Sequence, residues 1–236
     1  MNALLVRVGV DQSIGGGRWN GPADRVSREF VYVSIPEEHQ VHPGMSRPYS
    51  ILNPFLARFG VSLPAYLLPK SMHLDPDFEY LTYGDQGERA AQLREHLQSG
   101  DLIVFYASFQ DIRDRRPLVY ALIGLLVVED LIPAWETPLH DRDRNAHSRR
   151  ILSNGSNDVI VRGRPGCSGR LQRLLPIGEY RNRAYRVRPD MLDAWGELTV
   201  KDGYLQRSAR LPRFIDPGRL MSWLERQNLE LVQANN

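Results

Sequence analysis

Two apolar runs constrain this chain more than anything else in it: Asp101-Leu-Ile-Val-Phe-Tyr-Ala-Ser108 and Leu118-Val-Tyr-Ala-Leu-Ile-Gly-Leu-Leu-Val-Val128, separated by the charged stretch from Gln110 to Pro117. Their β-branched and aromatic residues favour strands, and the polar connection between them reads as an antiparallel hairpin. The second run carries no charge in eleven positions, so both of its faces are expected inside protein. An antiparallel strand buried on both faces points to a closed or strongly curved barrel rather than a flat sheet. Eleven apolar residues are too few for a membrane helix, which needs about 20, and no membrane partner is expected.

Around the hairpin the pattern is mixed. Leu4 to Val10 reads as a first buried strand, and Phe30 to Ile35 as a second that stops at Pro36. A long proline-interrupted connection follows, with one short helix near Asn53 to Phe59 and with His42 and Arg47 as polar side chains a ligand might meet. Glu88 to Gln98 has helical spacing, with Ala91, Leu93 and Leu97 inward and Gly100 as the stop. Trp135 to Leu139 reads as extended, Arg142 to Leu152 as a short basic helix and Asp158 to Gly163 as a strand. Leu174 to Ile177 and Tyr185 to Val187 are the last extended pieces. Beyond Asp190 the pattern turns helical, with Pro217 to Gln227 amphipathic. The expected fold class is α+β: a curved, mostly antiparallel barrel or sheet with peripheral helices. Residues 1–180 are expected to form one domain, and residues 181–236 a mainly helical extension packed on it.

The formal net charge is +2, and of the 30 basic residues only Lys70 and Lys201 are lysines. Twelve arginines fall between Arg142 and Arg188 against four acids between His140 and Arg188, a local balance of 12 − 4 = +8. That density suits phosphate or nucleic acid; an arginine-rich solvated surface is the other reading. The lone Cys167 cannot form an internal disulfide and the N-terminus has no secretory signal pattern, so a cytoplasmic location is expected.

Chemistry concentrates in His73-Leu-Asp-Pro-Asp-Phe-Glu-Tyr-Leu-Thr-Tyr-Gly-Asp85. In an extended chain His73, Asp75, Asp77 and Glu79 share one side, a credible Mg²⁺ or Mn²⁺ site. The competing reading makes Asp75 a helix N-cap with Pro76 at the first helical position, and it explains the proline and the acids together. That reading is preferred, so no metal and no cofactor are expected. At the exit of the stretch, Tyr83 can wall a pocket for a stacked base, Asp85 accept from an exocyclic amine, and Tyr106 on the hairpin add a second wall; burial in the core is the alternative for each aromatic. The glycine loop Gln12 to Pro22 lets backbone N–H groups approach an anion or a flat ring, or simply joins two strands. Cys167, between Arg164 and Arg170, is a bystander, and the arginines around His140 and His147 argue against zinc there. Nucleophile-elbow, paired-cysteine, zinc-protease and dinucleotide motifs do not occur.

Several phrases taken in order carry a resemblance: Arg7-Val-Gly-Val-Asp11, Gly16-Gly17, Trp19-Asn20-Gly21-Pro22, His73-Leu-Asp-Pro-Asp-Phe-Glu79, Thr82-Tyr-Gly-Asp85, Gly100-Asp-Leu-Ile-Val-Phe-Tyr106 and Ala121-Leu-Ile-Gly124. The set resembles the third type of nucleotide-modification-associated domain, a family linked to hypermodified bases in phage and bacterial DNA, up to about Ile177. The hairpin also looks like the central strands of PUA-like barrels of the EVE and ASCH groups, which hold a modified or flipped base in an aromatic pocket. The resemblance implies recognition or processing of a modified base or nucleotide, in DNA rather than RNA. Trp19, Tyr83 and Tyr106 would then stack, Asp11, Asn20 and Asp85 read polar edges, and Arg162, Arg164 and Arg170 hold phosphate. The alternative is a transferase or hydrolase with His73 and one of Asp75, Glu79 or Asp11 as general acid and base. A third reading is an interaction domain.

Overall fold

The computed structural model describes residues 1–13, 15–205 and 208–236; Ile14 of the glycine loop lies outside the described residues. Among these, the strands in chain order are β1 (Ala3–Arg7), β2 (Pro22–Ala23), β3 (Thr82–Asp85), β4 (Leu102–Asp111), β5 (Val119–Pro133), β6 (Val159–Gly163), β7 (Gly169–Pro176), β8 (Gly178–Arg181), β9 (Ala184–Val187) and β10 (Leu231–Val232). The α-helices are α1 (Asn53–Ala57), α2 (Gly87–His96), α3 (Ala146–Arg149), α4 (Pro189–Trp195) and α5 (Pro217–Arg226).

The two apolar runs form the expected hairpin, β4 against β5, with Leu102 opposite Val127 and Phe109 opposite Val119. β5 continues beyond Val128, and a register irregularity between Val128 and Asp130 re-aims it. Its first half lies between β4 and β7, while its second half pairs with β6. β1 runs parallel to β4, and β3 runs antiparallel to β6, so the sheet reads β1-β4-β5-β6-β3 with β7 branching from β5. Most pairings are antiparallel, but no pairing among the described residues joins β3 back to β1. The expected closed barrel is therefore corrected to an open mixed sheet.

Two apolar layers replace closure as the means of burying both faces. Leu4, Val6, Ile103, Phe105, Ala121 and Ile123 face a core filled by Phe78, Tyr83 and Leu93. The alternate residues Leu5, Leu102, Val104, Tyr106 and Leu122 face a second core, which α4 and α5 cover with Leu192, Trp195, Leu220 and Trp223. Period-two alternation on β1 and β4 thus serves two interiors.

Several local expectations change. Phe30 to Ile35 forms no strand: its backbone is met by Val10 N–H on the Val33 carbonyl, by Val31 N–H on Pro22 and by the Asn236 side chain. α2 buries Ala90 and Leu93 and leaves Ala91 exposed, a shift of one position. The basic helix expected over 142–152 is instead a 3₁₀ segment, Leu139–Arg144, and the single turn α3. No helix begins at Pro76, and that change builds the site.

Candidate functional site

From His73 to Asp85 the chain doubles back. Asp77 and Thr82 exchange backbone hydrogen bonds of 2.9 and 3.0 Å around a turn that sends Phe78 into the core. This lays Asp75 beside Gly84, whose N–H donates to both carboxylate oxygens at 2.9 and 3.0 Å. Asp75 also accepts from the Asn145 amide at 3.0 Å. The carboxylate read as a helix cap is therefore turned inward, bound by a strand amide rather than by its own helix.

Asn145 has a second task. Its side-chain oxygen accepts from His147 N–H at 2.8 Å, capping α3, and this presents the His147 ring to Gly84. A Cβ on Gly84 would lie 2.4 Å from His147 Cδ2, so only glycine leaves room for the ring. His73 enters from the opposite side, its N–H donating to the Ile35 carbonyl at 2.8 Å. The imidazole rings meet edge to face with centroids 4.9 Å apart. His73, Asp75 and His147 are all buried, and one donor atom from each lies within 4.8 Å of the others.

Each ring is oriented from behind. His73 Nδ1 is 2.6 Å from a Glu37 oxygen, and His147 Nδ1 is 2.6 Å from an Asp158 oxygen. Burial alone would raise the Glu37 carboxyl, but bonds from His73 and Arg150 hold it at about 2. Asp158 is likewise held at about 2 by His147 and Ser156 against its own burial. Burial lowers the His73 imidazole to about 4 despite the Glu37 bond, so it is neutral near pH 7. Each ring is thus held at Nδ1 by a carboxylate, with Arg150 also 3.1 and 3.4 Å from the two Nδ1 atoms, and each turns its Nε2 forward. Those nitrogens lie 3.9 and 3.7 Å from Asp75 Oδ2. Burial pushes the Asp75 carboxyl well above the usual range, opposed by the Gly84 and Asn145 bonds. Arg150 closes the rear, donating to Glu37 at 3.0 and 3.1 Å and to Gln86 at 2.9 Å.

The group opens into a cavity of about 210 Å³ at the C-terminal end of β1, bounded by Arg7, Gly9, Ile35, Asp85 and Arg89. Arg7 is also a wall of a neighbouring cleft of about 450 Å³ that contains Asp11, Asn20, Tyr120, Tyr180, Arg183 and Tyr185. There Tyr120 and Tyr185 stack with centroids 4.3 Å apart and Tyr180 meets Tyr185 edge-on. A larger cleft, about 1030 Å³, lies elsewhere, between α2 and residues that include Thr199, Asp202, Tyr204 and Arg213; it gathers arginines but no converging group of the His73 kind.

Of the residues singled out in the sequence, His73, Asp75, Tyr83 and Asp85 border the inner cavity, and Asp11 and Asn20 the outer cleft. The others are placed differently. Tyr106 is fully buried in the core under α4 and α5 and offers no face to a ligand. Tyr83 presents mainly its hydroxyl, which donates to Asp85 and accepts from Arg89 at 2.9 Å. Trp19 packs against the apolar cluster around Tyr49 and Leu52. Glu79 is exposed on the far side of its turn, beside Tyr80 and Gln233. Arg162 is paired with Asp130, and Arg164 is exposed near Ser99. Arg170 is buried over the Phe30 ring and donates to the Ala234 and Leu171 carbonyls, so it holds the fold rather than a phosphate. His147, Glu37, Asp158 and Arg150 were not expected at a site, and in sequence only the turn-like Asn145 before His147 hints at them.

No helix among the described residues is long and apolar enough to cross a membrane. No curated protein and no solved structure matches the chain. A family model described as nucleotide modification associated domain 3 matches residues 2–223 of the 236, and the chain belongs to that family.

Proposed function

We propose that this protein processes a modified base or nucleotide, with the reacting part of the substrate in the inner cavity and the base held in the outer cleft. The observation that carries this is the convergence of His73, Asp75 and His147, all buried, on one small cavity. Buried ionisable groups are costly unless they serve a purpose, and those that cluster in a cavity are candidates for chemistry. At about 210 Å³ the cavity is smaller than the roughly 300–1,000 Å³ of drug-sized ligands, so it admits part of a nucleotide and not the whole. The adjoining cleft supplies what the remainder needs: Tyr180 and Tyr185 for stacking, Arg183 for phosphate, and Asp11, paired with Arg7, and Asn20 at the polar edge. DNA is favoured over RNA by the family resemblance alone.

Deoxynucleoside monophosphates and short single-stranded oligonucleotides with plain and hydroxymethylated bases test this, with products read by mass spectrometry and binding by fluorescence anisotropy. Tyr180→Ala should weaken binding by about 1–3 kcal/mol, the usual worth of one stacked base. Asp75→Asn should abolish turnover and keep that binding. Binding without product for every probe leaves recognition as the function; no binding by any of them sinks the proposal.

A further inference from the structure

We infer that His73 Nε2, Asp75 Oδ2 and His147 Nε2 are ligands of one first-row divalent transition-metal ion. The hydrogen-bond pattern carries the inference. Glu37 and Asp158 engage the Nδ1 atoms at 2.6 Å each, which aims both Nε2 atoms at the Asp75 carboxylate. Nothing joins the three: separations of 3.7 and 3.9 Å are too long for hydrogen bonds. Three potential ligand atoms therefore converge with no hydrogen bond among them, an arrangement that one cation between them satisfies.

The distances suit that cation. With metal–ligand bonds near 2.1 Å and angles of 90–110°, donors lie roughly 3.0–3.4 Å apart, so the ion draws each nitrogen towards Asp75 Oδ2 from 3.9 and 3.7 Å by only a few tenths of an ångström to about one. Carboxylates that hold the rear nitrogen of a metal-bound histidine are the usual outer support of such sites.

Two imidazoles and one carboxylate select Fe²⁺, Zn²⁺, Mn²⁺ or Co²⁺ over the all-oxygen ions Mg²⁺ and Ca²⁺. Three protein donors on one side leave the cavity side open for water or a substrate oxygen or nitrogen. This is not the ion site suggested by alternation along the sequence: Asp77 is paired with Arg149 at 2.6 Å and Glu79 faces away. The inference deepens the nucleotide proposal by naming a cofactor for the same pocket, and its test needs no nucleotide, so either can fail alone.

Full-length protein freed of metal by chelation and dialysis is titrated with Co²⁺ and followed by visible absorption and calorimetry. One Co²⁺ should bind per chain, Zn²⁺ should displace it, and Mg²⁺ in excess should not. Asp75→Ala and His147→Gln should abolish binding, and Asp158→Asn should weaken it about 10- to 100-fold as a positioning change; His140→Ala should leave it intact. Should the buried-site variants not fold, X-ray absorption of the Zn²⁺-loaded wild type reads the ligands directly, and two imidazoles are expected. Failure of wild type to bind Co²⁺ or Zn²⁺, unchanged affinity in folded His147→Gln, or a spectrum with fewer than two imidazoles overturns the inference.

Discussion

Gly84→Ala is the sharpest single test of how the site is assembled, because it adds one methyl group and removes no polar atom. The added Cβ would lie 2.4 Å from His147 Cδ2 and 2.8 Å from Asn145 Oδ1. Carbon atoms in ordinary contact sit about 3.5–4.0 Å apart, so the ring must retreat by roughly 1.1–1.6 Å. It cannot do so freely: its Nδ1 is tied to Asp158 at 2.6 Å and its N–H to Asn145 at 2.8 Å. Asn145, the other obstacle, also binds Asp75 at 3.0 Å. Either escape therefore moves a ligand. Overpacking of this kind costs about 1–3 kcal/mol; at roughly 2–4 °C per kcal/mol for a chain of this size, melting should fall by about 2–12 °C. A displacement of about 1 Å at a working group costs on the order of 100-fold, and a loss of Co²⁺ affinity of that order is expected. Urea unfolding and Co²⁺ titration on the same sample measure both. A variant with wild-type stability and wild-type Co²⁺ affinity would refute the claim that the glycine exists to seat His147.

Two further substitutions separate structure from surface. Arg149 and Asp77 are buried to 3 % and 1 % side-chain exposure and pair at 2.6 Å, so Arg149→Ala, which strands a buried carboxylate, should cost about 3–5 kcal/mol in denaturant unfolding; a loss below about 1 kcal/mol would show the pair to be relaxed or wet. Arg162, held by Asp130 at the surface, should not read phosphate: Arg162→Ala should leave the salt dependence of single-stranded oligonucleotide binding unchanged, whereas a phosphate contact would shift the log–log slope by about 0.7.

The fold was legible where the residues themselves decide the structure. β4 and β5 follow from uninterrupted β-branched runs, and α5 from a proline start and a clear apolar stripe capped by Asp216. The barrel was not legible, because a strand apolar on both sides says only that both sides are covered, and here α4, α5 and Trp195 provide the cover. Phe30 to Ile35 has strand composition, yet its partners are the two-residue strand β2, the loop at Val10 and the Asn236 side chain, too little for a continuous ladder. The helix phase slipped by one at Ala90 because Ala90 and Ala91 are identical in side chain and differ only in position.

The site was half legible for a related reason. His73, Asp75 and Asp85 lie in one dense stretch, but the residues that complete it, Glu37, His147, Arg150 and Asp158, come from two distant segments that local spacing cannot join. The arginine surplus misled in the same way, since charge was balanced along the chain when the protein balances it in space. Arg149 neutralises Asp77, and Arg150 neutralises Glu37, both acids outside the basic segment. Arg162 meets Asp130, and Arg181 and Arg186 meet Asp202. The segment that looked like a phosphate-binding face is thus largely consumed in pairing with acids, two of them buried, among them the carboxylate that aims His73. Arg183 forms no ion pair among the described residues and lies in the outer cleft, so a phosphate contact from this segment should be sought there, next to the tyrosines, and not along Arg162, held by Asp130, or Arg170, buried over Phe30.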